Sequence, residues 1–315
     1  MKTHRPANRA ELDAVYEREK VAPLTVLVPS YREEERVVRQ TLLSAALMEY
    51  PGRNFVLLID DPAPADPVAA AALTAMRELP RKIQSLLTAQ ARKYAAELAS
   101  FECRRSGGNL DRANATRRLA RLYRGVAQWL EQQAKGWPLH DHTDALFVDR
   151  ILREPAHMHR AHAAEIMARV DRDSMALSDA ELMREYRRLA VLFAVRLTSF
   201  ERKRFVNLSH APNKAMNLNS YIALIGKSFH EVIRSEGLCL EECPAEASSL
   251  RVPHADYLIT VDADSLLLND YALRLVNVME QPGGQCFGVV QTPYTAVPNS
   301  PVLLERVAAA QTDLQ

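Results

Sequence analysis

Two aspartates one residue apart, Asp262 and Asp264, follow the apolar run from Tyr257 to Val261. Alternate residues of an extended segment share a face, so a strand ending in Asp-Ala-Asp delivers both carboxylates to one region, where they can hold a hard divalent cation. A cation held there would neutralise a diphosphate and stabilise it as a leaving group. The spacing alone is equally that of a helix cap after an exposed turn. A second group is the segment from His210 to Asn219, HAPNKAMNLN. Lys214, at the start of a helix, would meet phosphate with its own charge and with the helix dipole. Asn217 and Asn219 are poor helix-interior residues, which fits a polar task or a capped helix leaving a loop. A third group is split between Ser30, Tyr31, Arg32, Glu33 and Glu34 after one apolar run and Asp60-Asp61 after another. An aromatic ring and carboxylates gathered at a sheet edge suit a base and a ribose; as punctuation they would only end two strands.

The elements that must carry these groups are legible on either side of them. LTVLVPS, from Leu24 to Ser30, is short, apolar and rich in β-branched residues, which predicts a buried strand. From Glu33 to Tyr50, Val37, Val38, Leu42, Ala45, Ala46 and Met48 fit one helical face, and Pro51-Gly52 ends it. NFVLLIDDP then predicts a second strand. Strand, helix and strand with short joints open a parallel α/β sheet, whose ligands lie beyond the carboxyl ends of the strands. Later, FVNLS at 205–209, ADYLITVDADS at 255–265 and GQCFGVVQTPY at 284–294 predict strands, and KAMNLNSYIALIGKSF at 214–229 a helix. The last segment, from Pro301, begins an amphipathic helix with no stop signal before Gln315, as if the domain continued.

Between 66 and 204 the texture is alanine, arginine, leucine and glutamate with a helical period, an all-α insertion into the α/β domain. Leu119, Leu122, Tyr123, Val126, Trp129 and Leu130 make one apolar stripe, and Ser178 with Glu181 make a capping box ahead of Leu182, Tyr186, Leu189, Phe193 and Phe200. SGGN at 106–109 and KGWP at 135–138 predict turns. His140, His142, His157, His159 and His162 lie among aspartates and could hold zinc, but their spacing matches no standard site. Trp129 and Trp137 are expected to pack rather than to carry sugar. The expected division is a polar helical leader over 1–20, α/β segments over 21–65 and 205–315, and the insertion over 66–204.

Lysine and arginine number 40 against 39 acidic residues, a net charge of +1, which gives no argument for nucleic acid. The first twenty residues lack the apolar core of a secretory signal, and no run approaches the roughly 18 apolar residues of a membrane helix. The expected location is cytoplasmic, at the inner face of a membrane if the acceptor is there. Four scattered cysteines, among them Cys239 and Cys243, form no disulfide framework and complete no zinc site.

Taken in order, P-S-Y-x-E-E, a strand ending in D-D, K-A-x-N-L-N and a strand ending in D-A-D resemble family 2 glycosyltransferases of the cellulose-synthase-like branch, over about 22–65 and 205–310. The resemblance implies a GT-A fold, a Rossmann-like nucleotide-sugar sheet, here incomplete and carrying a large all-α insertion. It implies a UDP-sugar donor, Mg2+ or Mn2+, and displacement with inversion onto a glycan or lipid-linked acceptor. By motif, Ser30, Tyr31 and Glu33 would line the nucleoside pocket and Asp60 or Asp61 would contact the uracil. Lys214 would sit near the phosphates, with Asn217 and Asn219 shaping the sugar pocket. Asp262 and Asp264 would face the sugar diphosphate and metal, Asp264 as the more direct ligand. Arg32 and Met216 depart from the family's usual residues, and the insertion is longer than its usual joint. The T-E-D-like general base and the Q-x-x-R-W acceptor motif are absent from the sequence. A further segment, a membrane part or a second chain would have to complete the site. Two other functions fit the same residues: a non-catalytic nucleotide-sugar sensor or scaffold, and a haloacid-dehalogenase-type phosphatase with Asp262 as nucleophile.

Overall fold

The computed structural model describes residues 6–173, 176–292, 294–298 and 300–313. The first five residues of the expected leader, Pro293 in the expected strand 284–294 and the last two of the expected terminal helix lie outside them. Helices in chain order are α1 (Arg9–Asp13), α2 (Glu35–Ala46), α3 (Pro67–Ser106), α4 (Arg112–Gly136), α5 (His142–Phe147), α6 (Glu154–Asp173), α7 (Asp179–Leu192), α8 (Lys214–Ile222), α9 (Tyr271–Glu280) and α10 (Leu303–Asp313). Strands are β1 (Leu24–Ser30), β2 (Arg53–Ile59), β3 (Arg196–Phe200), β4 (Ser228–Arg234), β5 (Gly237–Glu242), β6 (Leu250–Arg251) and β7 (Tyr257–Thr260). Among the described residues no helix is long and apolar enough to cross a membrane.

The chain divides into two compact units, one of residues 18–97 and 188–267, the other of the remainder. The first is α/β. Its parallel sheet has the order β3-β2-β1-β7, with Thr25 of β1 opposite Asn54 of β2 and Leu258 of β7, and Asn54 opposite Arg196 of β3. β1 and β2 are apolar and buried almost throughout, as central parallel strands must be. Val38, Leu42, Ala45 and Ala46 of α2 bury the predicted face. A three-stranded antiparallel sheet, β5-β4-β6, belongs to the same unit. Leu27, Val56 and Leu58 of the parallel sheet share a core with Tyr221 and Leu224 of α8 and with Phe229, Leu240 and Val252.

Four local expectations change. The segment 205–209 forms turns rather than a strand. The third parallel strand is β3, just before it, and the expected insertion therefore ends earlier, at Leu192. RLTSF hid because its polar residues are tolerated at a sheet edge, and because Phe193 and Phe200 happened to continue the helical period of α7. The expected helix 214–229 stops at Ile222, and Gly226, with φ +80°, breaks the chain toward β4. The β4–β5 hairpin was not anticipated. Its turn needs Gly237, at φ +135°, where a Cβ would come within 2.9 Å of Val206 Cγ1. Finally, described residues of 284–294 form one 3-10 turn, Gly284–Cys286, and no strand. Glycines 283, 284 and 288 weaken that segment, and Phe287 and Val289 are exposed with no partner strand to bury them.

The second unit is helical, built on α4 and α6 with α5 and a π-helical turn at Val148–Arg153 between them. The predicted α4 stripe is buried from Leu119 to Leu130. Trp137 packs on Phe147 at 4.4 Å between ring centres, and both tryptophans are core residues. The capping box forms: Ser178 N donates to Glu181 Oε2 at 2.8 Å and Glu181 N to Ser178 Oγ at 3.3 Å. Residues 268–313, expected in the α/β domain, fall in this unit.

Candidate functional site

The chain runs outward from β1 through β2 to β3, then returns to the other side of β1 as β7. The strand order thus reverses between β1 and β7, and the crevice beyond the carboxyl ends there is where open α/β sheets bind ligands. Ser30 and Glu33 leave one side of it and Asp262 and Asp264 the other.

At the end of β7 the backbone turns tightly, with Ser265 N donating to Asp262 O at 3.1 Å. The strand ends at Thr260, before the Asp-Ala-Asp segment it was expected to include, and in the turn that replaces it Ala263 is buried while Asp262 and Asp264 are both exposed. Two buried hydroxyls of α2 fix this turn. Thr41 Oγ1 donates to Ala263 O at 2.6 Å, and Leu267 N donates to Ser44 Oγ at 3.1 Å. Neither hydroxyl was singled out from the sequence; a Thr and a Ser three apart inside an apolar helical stripe are the signal that could have found them.

Lys214 opens α8, whose N-cap Asn213 accepts from Met216 N at 2.8 Å. The Lys214 ammonium ion-pairs with Asp262 Oδ1, which joins the second and first motifs directly. Asn217 is buried, its Nδ2 donating to Leu58 O at 3.1 Å and its Oδ1 left without a partner. Asn219 is exposed. Two residues along a helix turn by about 200°, so Asn217 and Asn219 face opposite ways and do not shape one pocket together. Asn217 docks α8 on the end of β2.

Ser30 is buried and its Oγ also has no hydrogen-bond partner among the described residues. Tyr31 is 52% exposed, with the guanidinium of Arg32 at 5.5 Å and the ammonium of Lys203 at 5.7 Å from its ring centre. Arg32 has φ 55°, an uncommon left-handed conformation for a side-chain-bearing residue. Its N–H donates to Asp61 Oδ1 at 2.6 Å, which holds the bend. Burial raises the pKa of Glu33, and Asp264, Asp61 and Glu34 raise it further. Carboxylates from the ends of β1, β2 and β7 therefore repel one another across one region.

Asp60 has a different employment. It is 5% exposed, and its carboxylate takes a fork from Arg202, at 2.9 and 3.0 Å, with Lys203 at 3.2 Å. Arg202 is fully buried and also donates to the carbonyls of Ser209 and Ala211, so it ties the end of β2 to the loop that leads into α8. Of the aspartate pair, Asp61 is the one left to meet a ligand. Arg202 and Lys203 were missed in the sequence; the basic run 202–204 at the close of the helical region was their signal.

Among the described residues no three His, Cys, Asp or Glu side chains are gathered as metal ligands. Asp262 and Asp264 would supply two oxygens, leaving the rest of a coordination sphere to phosphate and water. Two of the histidines of the helical unit are otherwise occupied: His159 is buried and stacks on Tyr123, and His162 Nε2 lies 3.0 Å from Glu185. The chain matches no known family model, no curated protein and no solved structure. What the site does must be argued from its own residues.

Proposed function

We propose that the crevice beyond β1 and β7 binds a nucleotide-diphosphate sugar, a UDP-hexose by motif, and that the chain is the donor-binding part of an inverting hexosyltransferase of GT-A type. The observation that carries this reading is the meeting of opposite chemistries at the strand-order reversal. Glu33, Asp61 and Asp264 crowd one another there, and Lys214 pairs with Asp262 beside them. Crowded carboxylates suit a divalent cation, and a lysine at a helix start suits phosphate.

Tyr31, flanked by two cations, offers a ring to a base, and Asp61 offers the carboxylate oxygen not used by Arg32. Lys214 would exchange Asp262 for the diphosphate, freeing that carboxylate. Asp262 and Asp264 would hold Mg2+ or Mn2+, which when bound offsets the charge that grows on the diphosphate as its bond to the anomeric carbon breaks. The acceptor oxygen forms the new bond from the opposite face and its proton passes to a base. No residue of this chain is assigned as that base, nor as a contact to the glycan or lipid-linked acceptor. Asp262 follows the last strand of the sheet in chain order, whereas the phosphatase motif opens its domain, which counts against its being a phosphatase nucleophile.

Calorimetric titration of UDP and UDP-glucose with and without Mn2+ tests the donor site. Wild type should bind in a Mn2+-dependent manner, and Asp264→Ala should weaken binding by about tenfold or more, the scale of one lost charge-assisted contact. Binding to neither ligand would sink the reading. Slow release of UDP from bound UDP-glucose would favour a transferase over a sensor, which should return the donor intact.

A further inference from the structure

The amino end of the same parallel sheet carries a polar row that the donor site does not use. Thr25, Asn54 and Arg196 are register partners across β1, β2 and β3, and the next row on their face is Leu27, Val56 and Thr198. Parallel sheets normally bury apolar rows on both faces. This row instead lines a cavity of about 40 Å3 together with Tyr221 of α8 and the exposed Arg251 of β6. That is room for a few waters or one small oxyanion.

The groups around it are donors. Thr25 is 3% exposed and its Oγ1 has no hydrogen-bond partner among the described residues. Arg196 Nη2 lies 3.5 Å from the carbonyl of Arg251, which brings two guanidinium-bearing residues together. Among the described residues neither arginine has a carboxylate partner, whereas Arg234 and Arg77 of the same unit each donate a fork to a glutamate. Burial pushes the Tyr221 phenol up to about 12, although Arg196 opposes this, so the ring keeps its proton at neutral pH. Asn54 adds an amide. Both arginines are exposed to solvent, and Arg251 Nη2 also donates to Ala245 O at 3.0 Å. The lining offers two cations, two hydroxyls and an amide with no acid among them, a set that suits an anion.

We propose that this cavity is a second ligand site, taking a single phosphate group, either as the free ion or at the end of a small phosphorylated metabolite. It lies at the opposite end of the strands from Asp262 and Asp264, and it stands whether or not the donor reading does. Size excludes a whole nucleotide from the cavity itself.

The test is a titration of inorganic phosphate into the full chain at constant ionic strength with chloride, read by calorimetry and by amide shifts at Thr25 and Asn54. Saturable binding is expected, weakened about tenfold by Arg196→Gln or Arg251→Gln, as for a lost hydrogen bond to a charged group. Thr25→Val, which keeps the side-chain shape, should weaken it severalfold. Lys214→Met, a change at the donor crevice, should leave the phosphate-induced amide shifts at Thr25 and Asn54 in place. A parallel titration with glycerol 3-phosphate separates the sources: tighter binding than phosphate assigns a phosphorylated metabolite, weaker binding the free ion. No saturable binding by wild type overturns the proposal. So does binding that survives Arg196→Gln and Thr25→Val but is lost in Lys214→Met, which would place the phosphate at the donor crevice. If the arginine variants do not fold, Thr25→Val and the amide shifts decide alone.

Discussion

The two units treat their acids in opposite ways. In the helical unit, buried Glu185 accepts from the Tyr123 hydroxyl at 2.6 Å and lies 3.0 Å from His162 Nε2, while Glu181 is held by Arg169 and by its own cap serine. In the α/β unit, Glu33 is set against Asp61 and Asp264 with no cation among the shifts that act on it. One unit spends its polar groups on its own architecture; the other leaves like charges and unpartnered oxygens at the ends of its strands. Around α4, α6 and α7 local pattern, capping and packing agree with one another, and the crevice is where such agreement fails, as expected of a site kept for a ligand.

The contrast is confined to the crevice, because elsewhere the α/β unit pairs its acids too, as in Arg188–Glu49, Arg77–Glu201 and Arg202–Asp60, and the last of these carries the largest expected effect. Arg202→Met would leave Asp60 buried without its partner, at a cost of about 3–5 kcal/mol in urea denaturation. The double variant Arg202→Met with Asp60→Asn should recover much of that loss. If the single variant is nearly as stable as wild type, Arg202 is not the tie between β2 and α8. Glu185→Leu comes next: it leaves the Tyr123 hydroxyl without its acceptor and should cost about 1–3 kcal/mol, with no change in UDP binding.

Acid should act on the two units with opposite sign. Burial raises the Glu181 pKa, but hydrogen bonds from Arg169 and Ser178 outweigh it and bring the value down to about 2 from an ordinary 4.5. The folded value is below the unfolded one, so this stability is present above the unfolded pKa and is lost as pH falls toward 2. Glu33 is raised above 4.5, so its ionisation works against the fold, and stability is lost as pH rises through that higher value. Glu181→Gln should thus be less stable than wild type at pH 7, with the gap closing in acid. Glu33→Gln should be as stable or more stable at pH 7, and indistinguishable from wild type below the unfolded pKa. Melting curves across pH would break the comparison if both variants moved in the same direction. The smallest effect is the most specific. Without metal, Asp264→Asn should gain a few tenths of a kcal/mol by relieving an exposed like-charge contact, while abolishing Mn2+-dependent UDP binding.

Much of this was legible in the sequence where a residue's type and its neighbours agreed. β1, β2 and β7 announced themselves because buried parallel strands are runs of apolar residues, and the acids at their ends stood out against those runs. The α4 stripe was legible for the corresponding helical reason. β3 was not, since an edge strand tolerates arginine, threonine and serine and so loses its pattern. The hairpin was hidden by its charged, exposed residues, and Asn219 was misplaced by reading a motif as a list rather than along a helix. Arg202 escaped because the basic run 202–204 marks it only as a charge, while its role is a contact with Asp60, 142 residues earlier, that the run does not specify.

The hydroxyls of Thr41 and Ser44 grip the acidic turn after β7 by its backbone, on the side away from solvent. The aim of Asp262 and Asp264 is consequently governed from behind, by a helix that need never touch a ligand. A change as slight as Thr41→Val would keep every charge in the crevice and still let the two carboxylates swing off target. In that sense α2 is the gunsight of the site, and the exposed acids are only its muzzle.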